Sequence, residues 1–388
     1  MSASPIAASG PHVGRLAPSP TGVLHVGNAR SLLWATLAAR SRGGKLPLRV
    51  EDLVPGAHEQ IAQVLADLQW LGLTWDDPGA LVGRRDPAEY GPELEGLPAF
   101  VLQSDRAGLH AALLDRLVRR GDVYPCVCTR KDIDAAARAP HAEDRATRYP
   151  GTCRGRFPDL SAALRFEAAR AARAGHSPLG AALRMRAEGG VLRWYDDILG
   201  PQACDVKADS GDFVVRRKDG TPAYMLAVVA DDRAMGITEV VRGDDLAEVT
   251  AQQLLVHAAL AGLDAGQPRA ADADPALTPG LPRFCHVPLV FGDDGRRLAK
   301  RNRSLHVQTL RHEGVDPRQL RAFLAMSFGL PAEDDLGALA DAYRQRFGAS
   351  DFAEARSTDA LQPIVFDIAE LEALRSGKLP SLCRMPAP

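Results

Sequence analysis

Residues 16–30 read LAPSPTGVLHVGNAR. Prolines, glycines and small polar residues separate a short apolar segment, Val13 to Ala17, from a long alanine-rich one. From Asn28 to Arg40 the apolar positions Leu32, Leu33, Ala35, Leu37 and Ala39 fit a helix, Asn28 suits its N-cap, and Gly43-Gly44 ends it. LPLRVED at 46–52 is the next strand, so the chain opens with a strand–helix–strand unit of the parallel α/β type. A turn between a parallel strand and its following helix lies at the carboxyl edge of the sheet, where such folds bind ligands. Amides at the helix N-terminus attract phosphate, Gly22 and Gly27 admit a close backbone approach, and His25 and Asn28 can donate to phosphate oxygens. Spacing alone leaves two readings open: a nucleotide-binding turn, or an ordinary N-cap flanked by loop glycines.

The chain has 388 residues, 46% hydrophobic and 25% charged, enough to bury the cores of two or three domains. A formal net charge of -2 argues against binding nucleic acid through bulk positive charge, so an RNA partner must be met locally. Arginines number 41 and lysines 6, a bias that reads as codon usage and makes each lysine informative. The N-terminal MSASPIAASGPH lacks a basic start and an apolar run of signal-peptide length, and apolar runs elsewhere are too short to span a bilayer, which predicts a cytoplasmic protein without a membrane partner. Three of the six cysteines, at 126, 128 and 153, crowd together, which in a reducing compartment favours metal over disulfide.

The pattern divides the chain into a flexible leader at 1–12, a first α/β half at 13–123, an insertion at 124–204 and a second half at 205–304. A helical segment at 305–348 and a less patterned tail at 349–388 follow, without repeats or heptads. The first half holds a helix from His58 to about Leu71, the strand VLQSDR and the helix GLHAALLDRLVRRG. The second holds DFVVRRKDGTPAYMLAVVADD, whose RKDG is a hairpin turn, then ITEVVRGDDL, a helix at Ala251 to Ala261 and the loop GDDGRRLAKRNRS.

APSPTGVLHVGN at 17–28 resembles the HIGH-type motif of class I glutamyl-tRNA synthetases. RVED at 49–52, QSDR at 103–106, PAYMLAVVADD at 222–232 and GITEVVRGDDL at 236–246 follow in that family's order, and RLAKR at 297–301 sits where its KMSKS loop belongs. The resemblance covers roughly residues 13–330. It implies a Rossmann-type parallel sheet with a zinc-containing insertion and a C-terminal helical segment, and activation of an amino acid by Mg2+-ATP. It assigns catalysis to His25 and Lys300, and ATP binding to His25, Gly27, Asn28 and Lys300. Arg15 and Arg242 would fork onto the substrate carboxylates, Tyr224 would add a hydroxyl and Glu51 would pair with the α-ammonium, while Ala17 and Ser19 line the pocket. The loop departs from the pattern: Arg297 replaces the first lysine, Ala299 and Arg301 the serines. So do Val54, where the family has an acidic residue, and Arg233, where it has a histidine.

CVC at 126–128 and Cys153, after a gap of 24 residues, resemble the zinc-binding insertion of the same family, implying one Zn2+ per chain. Gly155 excludes a histidine two positions after Cys153. Tyr149 in RYPGTC matches the tyrosine ligand of one branch, and His141 in the intervening loop is the alternative.

Full glutamyl-tRNA synthetases carry anticodon-reading helical domains beyond the KMSKS loop, whereas 88 residues follow Lys300 here, part of them needed to close the catalytic core. With Tyr149 and the HIGH-type block, this resembles the glutamyl-queuosine tRNA(Asp) synthetase branch. That resemblance implies L-glutamate, ATP and queuosine-bearing tRNA(Asp) as partners of a monomer. Two other readings stay open: a shortened glutamyl-tRNA synthetase charging a 3′ end, and a non-catalytic RNA-binding paralogue. The degenerate RLAKR keeps the last open, and retention of Arg15, Glu51, Tyr224, Arg242 and Lys300 opposes it.

Overall fold

The computed structural model describes residues 11–20, 23–53, 58–137, 148–188, 190–264, 280–292, 305–348, 363–366, 368–380 and 383–384. Most of the leader, Gly22, Val54, His141, the RLAKR segment with Lys300, and residues 349–362 lie outside them.

Residues 13–16 are extended between two neighbours. Gly14 and Leu16 donate to the Lys45 and Pro47 carbonyls at 2.9 and 3.1 Å, and on the other side the Thr238 N–H reaches Val13 O at 2.8 Å. Helix α1 (Val26–Ser41) follows, with Val26, Trp34, Leu37 and Ala38 fully buried. Its cap is His25 rather than Asn28: the imidazole accepts the Asn28 N–H while Asn28 Oδ1 accepts the His25 N–H, a reciprocal capping box that puts Asn28 in the first turn. The helix stops at Arg42, and the chain reverses at Gly43, where φ is +62°.

The first half continues with β1 (Arg49–Val50), α2 (His58–Trp70), β2 (Arg84–Arg85), β3 (Phe100–Leu102) and α3 (Ala107–Arg120). The VLQSDR strand ends at Leu102, and Ser104–Arg106 form a 3-10 turn because Gln103 and Arg106 turn their side chains onto buried Asp231. Next come β4 (Val123–Cys126), α4 (Arg130–Ala137), α5 (Leu160–Ala174) and β5 (Ala182–Met185). The hairpin of β6 (Leu192–Asp196) and β7 (Gly200–Cys204), a short α6 (Val206–Asp209) and β8 (Phe213–Arg216) follow. Strands β4, β5 and β8 form an antiparallel sheet of their own.

The second half adds α7 (Tyr224–Ala234), β9 (Glu239–Gly243), α8 (Thr250–Asp264), β10 (Arg283–Val287) and β11 (Val290–Phe291). Parallel pairs join β1 to β3, β9 to β10 and β10 to β6. With residues 13–16 between β1 and β9, the sheet reads β2, β3, β1, residues 13–16, β9, β10, β6, β7. Its parallel centre has the strand order of a doubly wound α/β fold, reversing between residues 13–16 and β9. Residues 192–204, read from sequence with the insertion, pair into this sheet through β10. Asp244–Asp264 is long and apolar enough by composition to cross a membrane, but α8 packs Leu254, Val256 and Leu260 into the core beneath the sheet.

Helix α9 (Val307–His312) rests on α2, while α10 (Pro317–Met326) and α11 (Leu336–Phe347) cover α1, where Trp34 meets Phe328, Tyr343 and Phe347 with centroids 4.5 to 5.3 Å apart. The tail then returns to the core. β12 (Ile364–Val365) lies parallel to β11, α12 (Ile368–Arg375) packs Leu371 and Leu374 inward, and β13 (Cys383–Arg384) closes antiparallel on β12.

Candidate active site and metal site

The strand-order reversal leaves a crevice at the carboxyl ends of residues 13–16, β1 and β9. Arg15, Glu51 and Arg242 stand on those three strand ends, and Tyr224 opens α7 beside them. Asp232 is the hub beneath. Its Oδ1 accepts Arg49 Nη1 at 2.6 Å and faces Arg15 Nε at 3.5 Å, while Arg49 Nη2 reaches Glu51 Oε1 at 3.0 Å. Burial works against the Arg49 charge, but Asp232 and Glu51 outweigh it and hold the guanidinium above its ordinary range. Burial also pushes the Glu51 carboxyl up, with Arg49 and Arg15 pulling the other way, so its charge is only partly compensated. Tyr224 is raised by burial and next by Glu51, with Arg242 and Arg15 opposing, so the fields of these four side chains overlap. Ser19 Oγ approaches Glu51 Oε2 at 3.5 Å, and half-buried Ala17 lies on the same strand end.

The two pocket arginines differ. Arg15 donates from Nη1 to Val241 O at 2.9 Å, and no described residue accepts from its Nη2. Arg242 is held on every nitrogen: Nε by His286 Nε2 at 3.0 Å, Nη1 by Gln253 Oε1 at 2.8 Å, and Nη2 by Thr250 Oγ1 at 2.9 Å and Leu246 O at 3.3 Å. One Nη1 hydrogen is left over, so a two-pronged grip by Arg242, expected from sequence, is not available in this arrangement. It pairs with no carboxylate among the described residues. Its support is indirect, through His286 to Asp196 at 2.5 Å.

At the turn, the His25 ring nitrogen Nδ1 accepts the Asn28 N–H, so a neutral ring carries its proton on Nε2. A side chain at position 27 would stand 3.0 Å from that ring, which is why glycine is needed there. The RLAKR segment follows β11, whose Val290 abuts Gly27, and the described chain resumes where His306 bridges to His25 and the Val307 N–H meets Leu24 O at 2.8 Å. Both described flanks of that segment therefore rest on the residue 24–27 turn. Burial pushes nearby Asp67 up to about 7, opposed by hydrogen bonds from Gln63 and the Leu24 N–H.

The insertion gathers Cys126, Cys128 and Cys153, with their sulfurs within 4.8 Å of one another. Cys128 and Cys153 are 3.5 Å apart, and the Tyr149 hydroxyl lies 3.3 Å from Cys126 and 3.9 Å from Cys128. Zinc at tetrahedral angles, with Zn–S near 2.3 Å and Zn–O near 2.1 Å, separates its ligands by about 3.6 to 3.8 Å. Three thiols and a phenol oxygen at these spacings fit that ion. Hydrogen bonds from Cys128 and Cys153 hold the Cys126 thiol far below its ordinary range, and contacts with Cys126 and Cys153 push Cys128 up. Arg184 lies 3.7 Å over the Tyr149 ring, the Cys153 N–H donates to the phenol oxygen at 2.9 Å, and Lys218 and Arg170 hold the Val127 carbonyl. The competing ligand His141 is outside the described residues.

Sequence reading missed the buried frame. Asp231 takes Gln103, Arg106 and His110 at 2.6 to 2.9 Å, and Asp232 ties Arg15 to Arg49. The signal was present: two adjacent aspartates inside an apolar helix demand cations. Asp196 and His286, 90 positions apart, carried no local signal.

The family described as tRNA synthetases class I (E and Q), catalytic domain, matches residues 13–269. The Glutamyl-Q tRNA(Asp) synthetase of Nitratidesulfovibrio vulgaris is 41% identical over 319 residues, covering 82% of this chain and 86% of that protein. Glutamate–tRNA ligase 1 of Halorhodospira halophila is 37% identical over 314 residues, 80% of this chain and 57% of its own length. A solved glutamate tRNA ligase from Elizabethkingia meningosepticum shares the fold, with a TM-score of 0.59 and 24% identity; the match covers 85% of this chain and 64% of that one.

Proposed function

The chain belongs to the class I tRNA synthetases (E and Q) and is a ligase, and from that premise we propose that it activates L-glutamate with Mg2+-ATP and transfers the glutamyl group to queuosine in tRNA(Asp). The observation that carries the reading is the identity shared along most of a relative named Glutamyl-Q tRNA(Asp) synthetase.

The glutamate carboxylate attacks the α-phosphorus of ATP, pyrophosphate leaves, and a hydroxyl of the queuosine diol then attacks the acyl carbon as AMP departs. Arg15, with its Nη2 uncommitted, forks onto one substrate carboxylate, while Arg242 offers the other a single N–H and its charge. Glu51 meets the ammonium, Tyr224 adds its hydroxyl, and Ala17 and Ser19 line the pocket. His25 Nε2, Gly27, Asn28 and the helix amides face the phosphates. Lys300 neutralises the departing pyrophosphate, so Lys300→Ala lowers glutamate-dependent ATP–pyrophosphate exchange about 100-fold, the scale for one donor to a developing anion. Cys126, Cys128, Cys153 and Tyr149 hold one zinc ion, whose closed donor set suits a structural tie. The protein works as a cytoplasmic monomer.

The test offers radiolabelled glutamate to two RNAs: tRNA(Asp) with queuosine but without its terminal adenosine, and full-length tRNA(Asp) without queuosine. Charging of the first alone is expected. The reverse pattern identifies a shortened glutamyl-tRNA synthetase, and absence of exchange with any amino acid identifies a non-catalytic paralogue.

A further inference from the structure

We propose that His286 and Asp196 are positioning residues for substrate recognition: they orient the Arg242 guanidinium through a neutral imidazole, leaving its positive charge for the substrate carboxylate. The inference rests on the reading that Arg242 faces glutamate. Both side chains are fully buried. An arginine Nε–H can only donate, and it lies 3.0 Å from His286 Nε2, so that nitrogen holds a lone pair and the ring's proton is on Nδ1. Nδ1 then donates to Asp196 Oδ2 at 2.5 Å. The other oxygen of Asp196 is fixed by the N–H groups of Ile198 at 3.0 Å, Leu199 at 2.8 Å and His286 at 3.3 Å, so the carboxylate cannot swing round.

The order is carboxylate, imidazole, guanidinium, and the order matters. Where an aspartate touches an arginine directly, as Asp232 touches Arg49 at 2.6 Å, the pair is closed and its charge is spent. A neutral ring between them transmits orientation without cancelling the cation. Every other grip on Arg242 is neutral as well: an amide oxygen, a hydroxyl and a backbone carbonyl. A buried guanidinium held this way favours an arriving anion strongly, because no carboxylate among the described residues pairs with it.

The experiment uses the full chain, with equilibrium dialysis of radiolabelled L-glutamate beside exchange kinetics that give KM for glutamate and for ATP. His286→Ala should raise the glutamate Kd and KM roughly 10- to 100-fold, the scale of a lost hydrogen bond to a charged group, and leave the ATP KM within about twofold. His286→Gln, which keeps an acceptor for Arg242 Nε, should recover most of the loss. Asp196→Asn is a second, independent perturbation. Its amide oxygen stays on the Ile198 and Leu199 N–H groups, so its NH2 faces His286 Nδ1, drives the ring proton to Nε2 and opposes a donor to Arg242; it should match His286→Ala. Glutamate affinity unchanged in both His286→Ala and Asp196→Asn overturns the inference, as does an ATP KM that rises in step or a glutamine variant that recovers nothing. Wild-type protein that binds no glutamate overturns this inference together with the functional reading. Wild type that binds glutamate without exchange sinks the catalytic reading alone, and dialysis of the variants still decides this one.

Discussion

Asp232→Ala should be among the most destabilising single substitutions where the two α/β halves meet. Its carboxylate lies against two guanidinium groups, Arg49 Nη1 at 2.6 Å and Arg15 Nε at 3.5 Å, with all three side chains no more than 3% exposed. Removal leaves Arg49 with Glu51 and leaves Arg15 with no carboxylate in contact among the described residues. Deleting one partner of a buried pair costs about 3 to 5 kcal/mol, because the stranded charge keeps its desolvation penalty. The control is Asp77→Ala. Its bond to Arg84 is 2.8 Å but half exposed, so the unfolding midpoint should not move. Distance is nearly the same in the two pairs, and burial makes the difference. Urea unfolding followed by tryptophan fluorescence measures both, each compared with wild type at the same transition, since a chain with several cores need not unfold in one step. Asp232→Asn, which keeps an acceptor oxygen and loses the charge, should fall between alanine and wild type. Asp232→Ala unfolding at the wild-type midpoint would refute the reasoning and make the network a by-product of packing.

Protein purified without chelator should contain about one zinc per chain by elemental analysis, and Cys153→Ala none; Tyr149→Phe should keep the metal but release it faster to a chelator, and release at the wild-type rate removes the tyrosine from the ligand set. Burial depresses His257 to about 4, so its stability contribution is complete above pH 6.5 and is lost as pH falls through 6.5 toward 4. The unfolded chain takes up a proton there that the folded chain refuses, which costs about 2 kcal/mol between pH 7.5 and pH 5. His257→Gln should flatten that part of the profile, and an unchanged slope contradicts the assignment. Phe366 is fully buried, edge-on to Phe323 with centroids 5.3 Å apart, and its N–H is bonded to Phe291 O at 2.9 Å. Phe366→Ala loses a contact set worth about 3 to 5 kcal/mol, so amide exchange at residue 366 should speed up at least about 100-fold; unchanged protection means the tail is held elsewhere.

The opening strand, α1 and β1 were legible because each carries a period or a cap that acts over a few residues. The cap itself was misplaced by three positions, since His25 and Asn28 satisfy each other and either could have led the helix. The cysteine cluster was legible from spacing, and Tyr149, named from the family resemblance, has its oxygen 3.3 Å from Cys126. The tail was not legible: β11, β12 and β13 are two residues each, too short to show alternation, and they hold because they pair across the fold. The bonds of Asp232 to Arg49, Asp231 to His110 and His286 to Asp196 span 183, 121 and 90 positions, a range that no local pattern encodes.

The pocket's charges make sense together only when graded. Arg49 is closed by Asp232 and Glu51, Arg15 is shared with Asp232 at a longer distance, and Arg242 meets only neutral groups among the described residues. Glu51 is graded too: burial raises it, and its arginine partner is already committed to Asp232. Relaxing the frame so that every charge paired internally would give a more stable protein with nothing to offer a ligand. What remains uncompensated is positive charge at Arg15 and Arg242 and negative charge at Glu51. Two carboxylates and one ammonium on a short chain are the complement of that set, and under the proposed reading glutamate supplies it. Glutamine, with an amide in place of the side-chain carboxylate, would leave one guanidinium buried without an anion. Discrimination would then come from a penalty against the wrong substrate as much as from attraction to the right one.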